Sequence, residues 1–325
     1  MSKAIRIHET GGPEVLKWEE IDVKVPGFGE AKIRHTAIGL NYIDVYGRTG
    51  LYPVPSLPHT LGIEGAGIVE AVGEGVHDVV VGDRIVYVMS PPGAYSEKRI
   101  VSASRLIKLP DDVSEDAAAA MMLKGMTAQY LLNQTYNVKE GDHILVHAAA
   151  GGVGLILCQW AKHLGAKIIG TVGSKEKARL AVAHGCDHTI VYTQESFKDR
   201  VSEITSGRGV DVVYDSIGQS TFIDSLDCLR PLGLMVTFGN ATGPITSFSP
   251  GILAAKGSLF LTRPTIFTYI AERENMFSMA AELFKMVSSG AVKIEINQIY
   301  KLKDAAQAHF DLEARKTTGS TILKP

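Results

Sequence analysis

The sequence has few cysteines, almost no net charge and no long apolar run. Its only cysteines are Cys158, Cys186 and Cys228, and none forms a C-x-x-C pair. This spacing excludes a disulfide framework and a structural zinc site, and it indicates three core thiols in a reducing compartment. The net charge of −2 gives no electrostatic reason to expect nucleic acid or an anionic membrane as a partner. No apolar run approaches the ~18 residues that span a bilayer, and no signal-peptide core is present, so we expect a cytoplasmic protein.

The most informative stretch joins an apolar strand to a helix through a glycine-rich turn. Ile144–Val146 predicts a buried parallel strand, and helical spacing begins at Val153. Gly151 would let the backbone approach a pyrophosphate, and Gly154 would let the helix lie close to the strand. With Gly152 and Val153 these residues form a candidate phosphate-binding turn at a helix N-terminus. Ala149 replaces the first glycine of the usual G-x-G-x-x-G pattern, so a turn that only links a strand to a helix is the alternative.

The sequence lacks an acidic residue where an NAD-binding unit would place one. The second strand, Lys167–Thr171, is followed by Gly173, Ser174 and two lysines, of which Lys177 is the candidate ligand. A small turn, a hydroxyl and lysines suit a 2′-phosphate, which a carboxylate would repel. This pattern predicts NADPH as the cofactor. Glu176 would lie in the first turn of the next helix and face solvent. The alternative for the two lysines is an ordinary exposed start of a helix.

The order of predicted elements gives an α/β protein with two domains. Up to residue 110, short strands with period-2 alternation are bounded by Gly and Pro, which predicts an antiparallel, barrel-like lobe. Ser114 would cap a helix that Gly125 separates from a second helix over 127–132. From 141 to 264, six strands alternate with helices, which predicts a doubly wound parallel sheet. The tail, including a strand over 292–299, would return to the first lobe, so the predicted domains are 1–124 with 265–325, and 125–264.

These motifs resemble a known family. The run Gly141-Asp142-x-x-Leu145-x-x-x-Ala149-Ala150-Gly151-Gly152-x-Gly154-x-x-x-x-Gln159-x-x-Lys162 is similar to the signature of the quinone oxidoreductase and zeta-crystallin branch of the medium-chain dehydrogenases/reductases. The glycines over 62–75 and the segments 214–218, 238–240 and 262–264 also resemble this branch. The resemblance covers essentially the whole chain. It implies a Rossmann domain that binds NADPH and a GroES-like, mostly antiparallel catalytic domain.

The chain departs from the zinc enzymes of that superfamily. Their first-lobe motif reads Gly-His-Glu with a zinc-ligating His, and here it reads Gly62-Ile63-Glu64. Residues 1–157 contain no cysteine, so the thiolate ligands of those enzymes are also missing. A catalytic zinc requires three protein ligands in one place. We therefore expect no metal and a structural role for Glu64. A quinone can accept a hydride without a Lewis acid, because the product is aromatic and its oxygens hold the negative charge.

The resemblance also assigns roles to individual residues. Asn41 would hold the nicotinamide or an acceptor oxygen, and Tyr52 would stack on the acceptor or donate to it, beside Tyr46. For both tyrosines the alternative is packing beneath the proline-rich loop 50–58. Arg315 would be a second partner of the 2′-phosphate, or else a surface arginine at a helix end. The remaining candidates would line the cofactor from the nicotinamide to the adenine: Thr127, Tyr130, Tyr192, Ser216, Phe238, Gly239 and Asn240.

Three functions follow from this interpretation. The first is an NADPH:quinone oxidoreductase that transfers hydride without a metal. An enoyl or 2-alkenal reductase uses the same machinery, and nothing in the sequence excludes it. The third is a non-catalytic, crystallin-like NADPH-binding protein. The resemblance also implies a homodimer that forms through the strand near Ser258–Thr262. The alternative is that a loop caps this strand at the edge of the sheet.

Overall fold

The computed structural model describes residues 2–89 and 91–325, and these form sixteen strands and ten α-helices. The strands are β1 (Ser2–Ile7), β2 (Lys17–Ile21), β3 (Glu30–Leu40), β4 (His59–Thr60), β5 (Glu64–Val72), β6 (Arg84–Val88), β7 (Lys98–Ser102), β8 (Ile107–Lys108), β9 (His143–Val146), β10 (Lys167–Val172), β11 (His188–Val191), β12 (Val210–Asp215), β13 (Leu229–Thr237), β14 (Phe260–Thr262), β15 (Ile296–Lys301) and β16 (Ser320–Lys324). The helices are α1 (Tyr42–Thr49), α2 (Glu115–Tyr130), α3 (Gly152–His163), α4 (Lys175–Ala183), α5 (Phe197–Ile204), α6 (Phe222–Asp227), α7 (Gly251–Ala255), α8 (Ile266–Tyr269), α9 (Arg273–Ser288) and α10 (Ala305–Glu313).

The residues group into two compact units. The first comprises Met1–Lys124, Glu272–Phe284 and Ile294–Pro325, and the second comprises Gly125–Ala271 and Lys285–Lys293. The tail does not group as one piece, because 265–271 and 285–293 belong with the second unit. The predicted domain boundaries stay a prediction.

The first unit is built mainly from antiparallel strands. A seven-stranded sheet has the order β15-β16-β3-β5-β6-β8, with β7 also pairing with β3, and a small sheet has the order β2-β1-β4. The only parallel pair in these two sheets, over the described residues, is β15 with β16. The apolar side chains of these strands form one buried cluster, which includes Ile33, Val69 and Ile85. This lobe is the GroES-like fold that the resemblance implies.

The second unit contains the predicted doubly wound sheet. Its six strands have the order β11-β10-β9-β12-β13-β14, and every pair is parallel. Each residue of β12 is buried, as expected for a central strand covered on both faces. The order reverses between β9 and β12, and open α/β sheets bind ligands at the carboxyl ends of the strands beside such a reversal. We therefore expect a ligand to bind at the segments that follow β9, β10 and β12.

The structure corrects two local predictions. Gly125 does not divide the helix, because α2 runs without a break from Glu115 to Tyr130. A helical glycine costs only about 1 kcal/mol, and the buried side chains around it, such as Met122 and Met126, outweigh that cost. The predicted strand over 292–299 begins later, at Ile296. Two other predictions are confirmed: Ser114 Oγ accepts the Ala117 N–H at 3.2 Å, and the three cysteines are buried and free.

No helix among the described residues is long and apolar enough to cross a membrane.

Candidate functional site

The turn after β9 has a backbone that only small residues permit. Ala148 has a φ of 53°, and its carbonyl accepts the Gly151 N–H at 2.9 Å. A Cβ on Gly154 would overlap the Ala148 carbonyl oxygen and would lie 2.7 Å from that of Ala149. On Gly151 it would lie 3.2 Å from the Ala148 oxygen, which is tight. The glycines therefore permit the first turn of α3 to lie against the end of β9.

The first turn of α3 is suited to an anion. Gly151 caps the helix, so the N–H groups of Gly152, Val153 and Gly154 lie in its first turn, where α-helical N–H groups have no partner within the helix. Gly151, Gly152 and Val153 are partly exposed, so a ligand has access to this backbone. No acidic side chain lies in the first turn. A cradle of small residues at a helix N-terminus fits a pyrophosphate.

The segment after β10 contains Gly173, Ser174 and Lys177, and it contacts a fourth predicted residue, Tyr192. Ser174 caps α4, and its Oγ accepts the Lys177 N–H at 3.3 Å. A Cβ on Gly173 would lie 2.9 Å from the Tyr192 hydroxyl, so glycine allows this close approach. Glu176 faces solvent, as predicted, with 75% of its side chain exposed, and it lies 3.5 Å from Arg179. The Ser174 hydroxyl and the lysines suit a 2′-phosphate, and the Glu176 carboxylate, which also interacts with Ser174, is mostly exposed.

The ends of β12 and β13 are locked together by their backbones. A Cβ on Gly239 would overlap the Ser216 carbonyl oxygen, and Phe238 N–H donates to the Asp215 carbonyl at 2.8 Å. The Asp215 carboxylate is fully buried and accepts the Ile217 N–H at 2.6 Å, which fixes the loop after β12. The structure thus brings Ser216, Phe238 and Gly239 together at the carboxyl edge, with Asn240 following them.

Thr127 and Tyr130 lie in the last turns of α2, and both are buried. The Tyr130 ring stacks on Tyr269 with the ring centroids 4.3 Å apart and the planes at 8°. Burial raises the pKa of Tyr130 above its usual range, which keeps its hydroxyl protonated. The sequence did not indicate this pairing, because Tyr269 lies in the tail, outside every motif.

In the first unit, Asn41, Tyr46 and Tyr52 lie on α1 and on the chain that leaves it. Asn41 caps α1 and is buried, and Tyr46 is buried one turn further along. The Tyr46 and Tyr52 rings meet edge to face with their centroids 5.1 Å apart, and Tyr52 is exposed. The exposed Tyr52 ring therefore packs against the buried Tyr46 ring. The buried Asn41 amide lies at the start of the same helix, α1.

The Asn41 side chain is held by a buried carboxylate. Its Nδ2 donates to Glu64 Oε1 at 2.7 Å, and Lys124 Nζ lies 3.2 Å from the same oxygen. Glu64 Oε2 accepts the Leu123 N–H at 2.7 Å. Glu64 is fully buried, so this carboxylate is balanced by Lys124 and by hydrogen bonds. The predicted structural role of Glu64 thus consists in orienting Asn41.

Three further residues around Asn41 were missed by the sequence reasoning. Asp44 Oδ2 accepts the Asn41 N–H at 2.9 Å and the Tyr95 hydroxyl at 3.1 Å, and Tyr95 contacts His309. Asp44 stands three residues after Asn41, in a capping box that the sequence could have indicated. Tyr95 and His309 lie far away in the sequence, so only the fold reveals their contact. Arg315 is in the same unit, just after α10, with a φ of 59°.

Over residues 2–89 and 91–325, no three His, Cys, Asp or Glu side chains are grouped so as to hold a metal ion. Two histidines of the first lobe, one buried and one exposed, have other partners. His35 is buried between the Ser96 carbonyl at 2.6 Å and the Tyr87 hydroxyl at 2.9 Å, and burial lowers its pKa to about 3. His8 is exposed and lies 2.5 Å from Glu19.

Comparison with known proteins identifies the family of this chain. Residues 27–111 match the family described as alcohol dehydrogenase GroES-like domain, and residues 152–286 match zinc-binding dehydrogenase. The quinone oxidoreductase of Pseudomonas aeruginosa is 53% identical, with all of both chains covered. The structure of Escherichia coli quinone oxidoreductase complexed with NADPH has a TM-score of 0.98 at 49% identity, covering 99% of this chain and 100% of the other. A 2-haloacrylate reductase of Burkholderia is 46% identical, with 100% of this chain and 99% of the relative covered. This chain therefore belongs to the quinone oxidoreductase branch of the medium-chain dehydrogenase/reductase superfamily.

Proposed function

We propose that the protein is an NADPH-dependent quinone oxidoreductase that transfers hydride without a metal. The observation that carries this is the similarity, over the full chain, to quinone oxidoreductases, one of which is known in complex with NADPH. The carboxyl edge of the parallel sheet supports it independently, because its small residues and helix N-termini suit a phosphorylated dinucleotide.

In this proposal the second unit holds the cofactor along the edge of its sheet. Gly152, Val153 and Gly154 hold the pyrophosphate through backbone N–H groups, and Gly151 lets the backbone approach it. Gly173, Ser174 and Lys177 hold the 2′-phosphate. Arg315, which belongs to the first unit, stays a predicted second cation. The other predicted contacts are Thr127, Tyr130, Tyr192, Ser216, Phe238, Gly239 and Asn240. NADPH, when bound, supplies the hydride.

The acceptor side is assigned to the first unit. Asn41, fixed by Glu64, would bind the nicotinamide or an acceptor oxygen, and the exposed Tyr52 ring would stack on a flat acceptor or donate to it. Tyr46 supports Tyr52 through their edge-to-face contact. Positioning and hydrogen bonding are sufficient for this reaction, because the reduced quinone spreads its charge over an aromatic ring.

A second candidate is reduction of an activated alkene. It is favoured by the 46% identity with a 2-haloacrylate reductase, since such an acceptor also delocalises the charge of the incoming hydride. The two activities need the same cofactor site and differ only in the acceptor.

Purified protein assayed with NADPH against a panel of acceptors tests this choice. We expect saturable NADPH oxidation with 1,4-benzoquinone and naphthoquinones. Turnover of only α,β-unsaturated carbonyl compounds or 2-haloacrylates would establish the alkene reductase instead. NADPH binding without turnover of any acceptor would support a non-catalytic, crystallin-like protein.

We also propose a cytoplasmic homodimer. The buried free cysteines suit a reducing compartment. At one edge of the six-stranded sheet lies β14, whose Phe260 is 60% exposed, and such an edge can extend across two subunits. Sedimentation should give a dimer for the native chain and a monomer for Phe260→Lys. A native monomer, or an unchanged dimer in the variant, would contradict this assembly.

A further inference from the structure

A chain of buried polar side chains leads away from Asn41 in the first unit. Tyr95 Oη lies 3.1 Å from Asp44 Oδ2 and 3.0 Å from His309 Nε2. Arg48 Nη1 lies 3.2 Å from His309 Nδ1. All four side chains are buried. We refer to Asp44, Tyr95, His309 and Arg48 as the Asp44 chain.

The direction of every hydrogen bond in the Asp44 chain is fixed at Arg48. A guanidinium only donates, so His309 Nδ1 must accept. In a neutral imidazole the hydrogen is then on Nε2, which donates to Tyr95 Oη. His309 is neutral because burial and the facing guanidinium lower its pKa to about 3. The Tyr95 hydroxyl consequently donates its own hydrogen to Asp44 Oδ2.

Both donors to Asp44 therefore converge on the same oxygen. Oδ2 accepts from Tyr95 and from the Asn41 backbone N–H at 2.9 Å. Oδ1 is buried and has no hydrogen-bond partner. A proton on this carboxyl group can only be on Oδ1, since Oδ2 already accepts two hydrogens.

The surrounding charges are already balanced without Asp44. Lys124 pairs with Glu64 at 3.2 Å, and Arg48 pairs with Glu313 at 2.7 Å. The donors that contact Asp44 are neutral, and Glu64 is a second negative charge near it. An isolated carboxylate in such a place is strongly disfavoured. Burial raises the pKa of Asp44 to about 7, opposed by its hydrogen bonds to Asn41 and Tyr95 and by Lys124, and assisted by Glu64.

We propose that Asp44 is a neutral carboxylic acid in the active protein, and that its ionisation switches acceptor reduction off. This inference rests on the proposed function, in which the acceptor lies at Asn41. Reduction of a quinone adds a hydride from the cofactor and one proton from solvent, and Asp44 keeps its own proton throughout. Its role is positional and electrostatic. A neutral Asp44 leaves Asn41 with one carboxylate beside it, whereas an ionised one would add a second and repel the negative charge that develops on the acceptor.

Infrared spectroscopy of the protein without ligand tests the protonation state. We expect the carbonyl stretch of a protonated carboxylic acid in the native protein, titrating away as the pH rises through about 7. Asp44→Asn should lose this band. The control Asp83→Asn should keep it, because Asp83 is ion-paired with Lys108 at 2.8 Å. A band that survives in Asp44→Asn, or no band at all, would overturn the assignment.

The pH profile of kcat with a quinone tests the functional half. Native kcat should fall about tenfold per pH unit above the pKa of Asp44, whereas Asp44→Asn, which is neutral at every pH, should lack this falling limb. Tyr95→Phe removes a donor that favours the carboxylate, so its limb should move to higher pH. A limb that persists in Asp44→Asn, or one that does not move in Tyr95→Phe, would refute the switch.

The infrared titration and the pH profile of kcat distinguish a failure of the Asp44 proposal from a failure of the proposed function, on which it rests. If the native protein turns over no quinone, both the proposed function and the switch fail, while the infrared titration still decides whether Asp44 is protonated.

Discussion

Gly154 shows at the scale of one residue how the turn after β9 is determined. A Cβ there would overlap a backbone carbonyl that cannot move independently of β9. We expect Gly154→Ala to lower the free energy of unfolding by about 1–3 kcal/mol and to weaken NADPH binding, measured by urea unfolding and fluorescence titration. The control is Gly251→Ala, whose Cβ would meet only Ser249 Oγ at an ordinary 3.6 Å. Equal effects from the two variants would show that the turn is not sterically restricted.

In the proposed function, Lys177 favours NADPH over NADH. In Lys177→Glu a carboxylate replaces an ammonium group beside the proposed 2′-phosphate, and a charge-assisted hydrogen bond contributes about 1.5–3 kcal/mol. The ratio of kcat/KM for NADPH over NADH should therefore fall about tenfold or more. Lys139→Glu, at an exposed lysine of the same unit, should leave the ratio unchanged. Equal losses with both nucleotides in Lys177→Glu would remove this residue from the 2′-phosphate site.

The close approach at Gly154 could be predicted, because this glycine belongs to a local pattern whose geometry is repeated in many proteins. The contacts among Asp44, Tyr95 and His309 could not be predicted, because no local pattern links positions 44, 95 and 309. Their contact depends on how α1, the segment after β6 and α10 pack within one lobe. Sequence periodicity carries no information on that packing.

Glu64 connects three secondary-structure elements. It lies on β5 and bonds to the N-cap of α1 and to Lys124 of α2. Glu64→Gln leaves a buried ammonium without its carboxylate, so we expect a loss of about 3–5 kcal/mol in the free energy of unfolding.

A double-mutant cycle separates the pair from its surroundings. Glu64→Gln/Lys124→Met should recover part of the loss, because it buries no unpaired charge. As a control, Glu70→Gln removes the partly exposed partner of Lys98 and should cost less than about 1 kcal/mol. A double variant as unstable as the sum of its single changes would show that Glu64 and Lys124 do not act as a pair.

The elements of the second unit were predicted best, because each strand is an apolar run followed by a helix. Those of the first unit were predicted only as a class, since antiparallel strands of this length leave their pairing order open. Gly125 misled the prediction, because a helix tolerates one glycine when its neighbours are well buried.

At the scale of the whole molecule, Asp44 makes folding stability depend on pH. Its pKa is about 7 when folded, against 3.8 ordinarily, so the folded state binds the proton more tightly. This stability is fully present below about pH 4 and is lost as the pH rises through about 7, a loss of about 4 kcal/mol. The buried His35 and His309 titrate in the opposite sense, since their pKa values are lowered to about 3.

The pH dependence of stability is therefore compared between the native protein and Asp44→Asn. Both contain His35 and His309, so the contribution of the histidines cancels. Urea unfolding over this range should show the native protein losing about 1.4 kcal/mol per pH unit relative to the variant. A difference that does not change with pH would mean that Asp44 is ionised when folded.

Quinone-dependent oxidation of NADPH and NADH by protein dialysed against a chelator tests metal-free hydride transfer from NADPH directly. We predict saturable turnover with 1,4-benzoquinone, a preference for NADPH of about tenfold or more, and full activity after chelation. No quinone-dependent oxidation, or activity lost on chelation and restored by zinc, would contradict it.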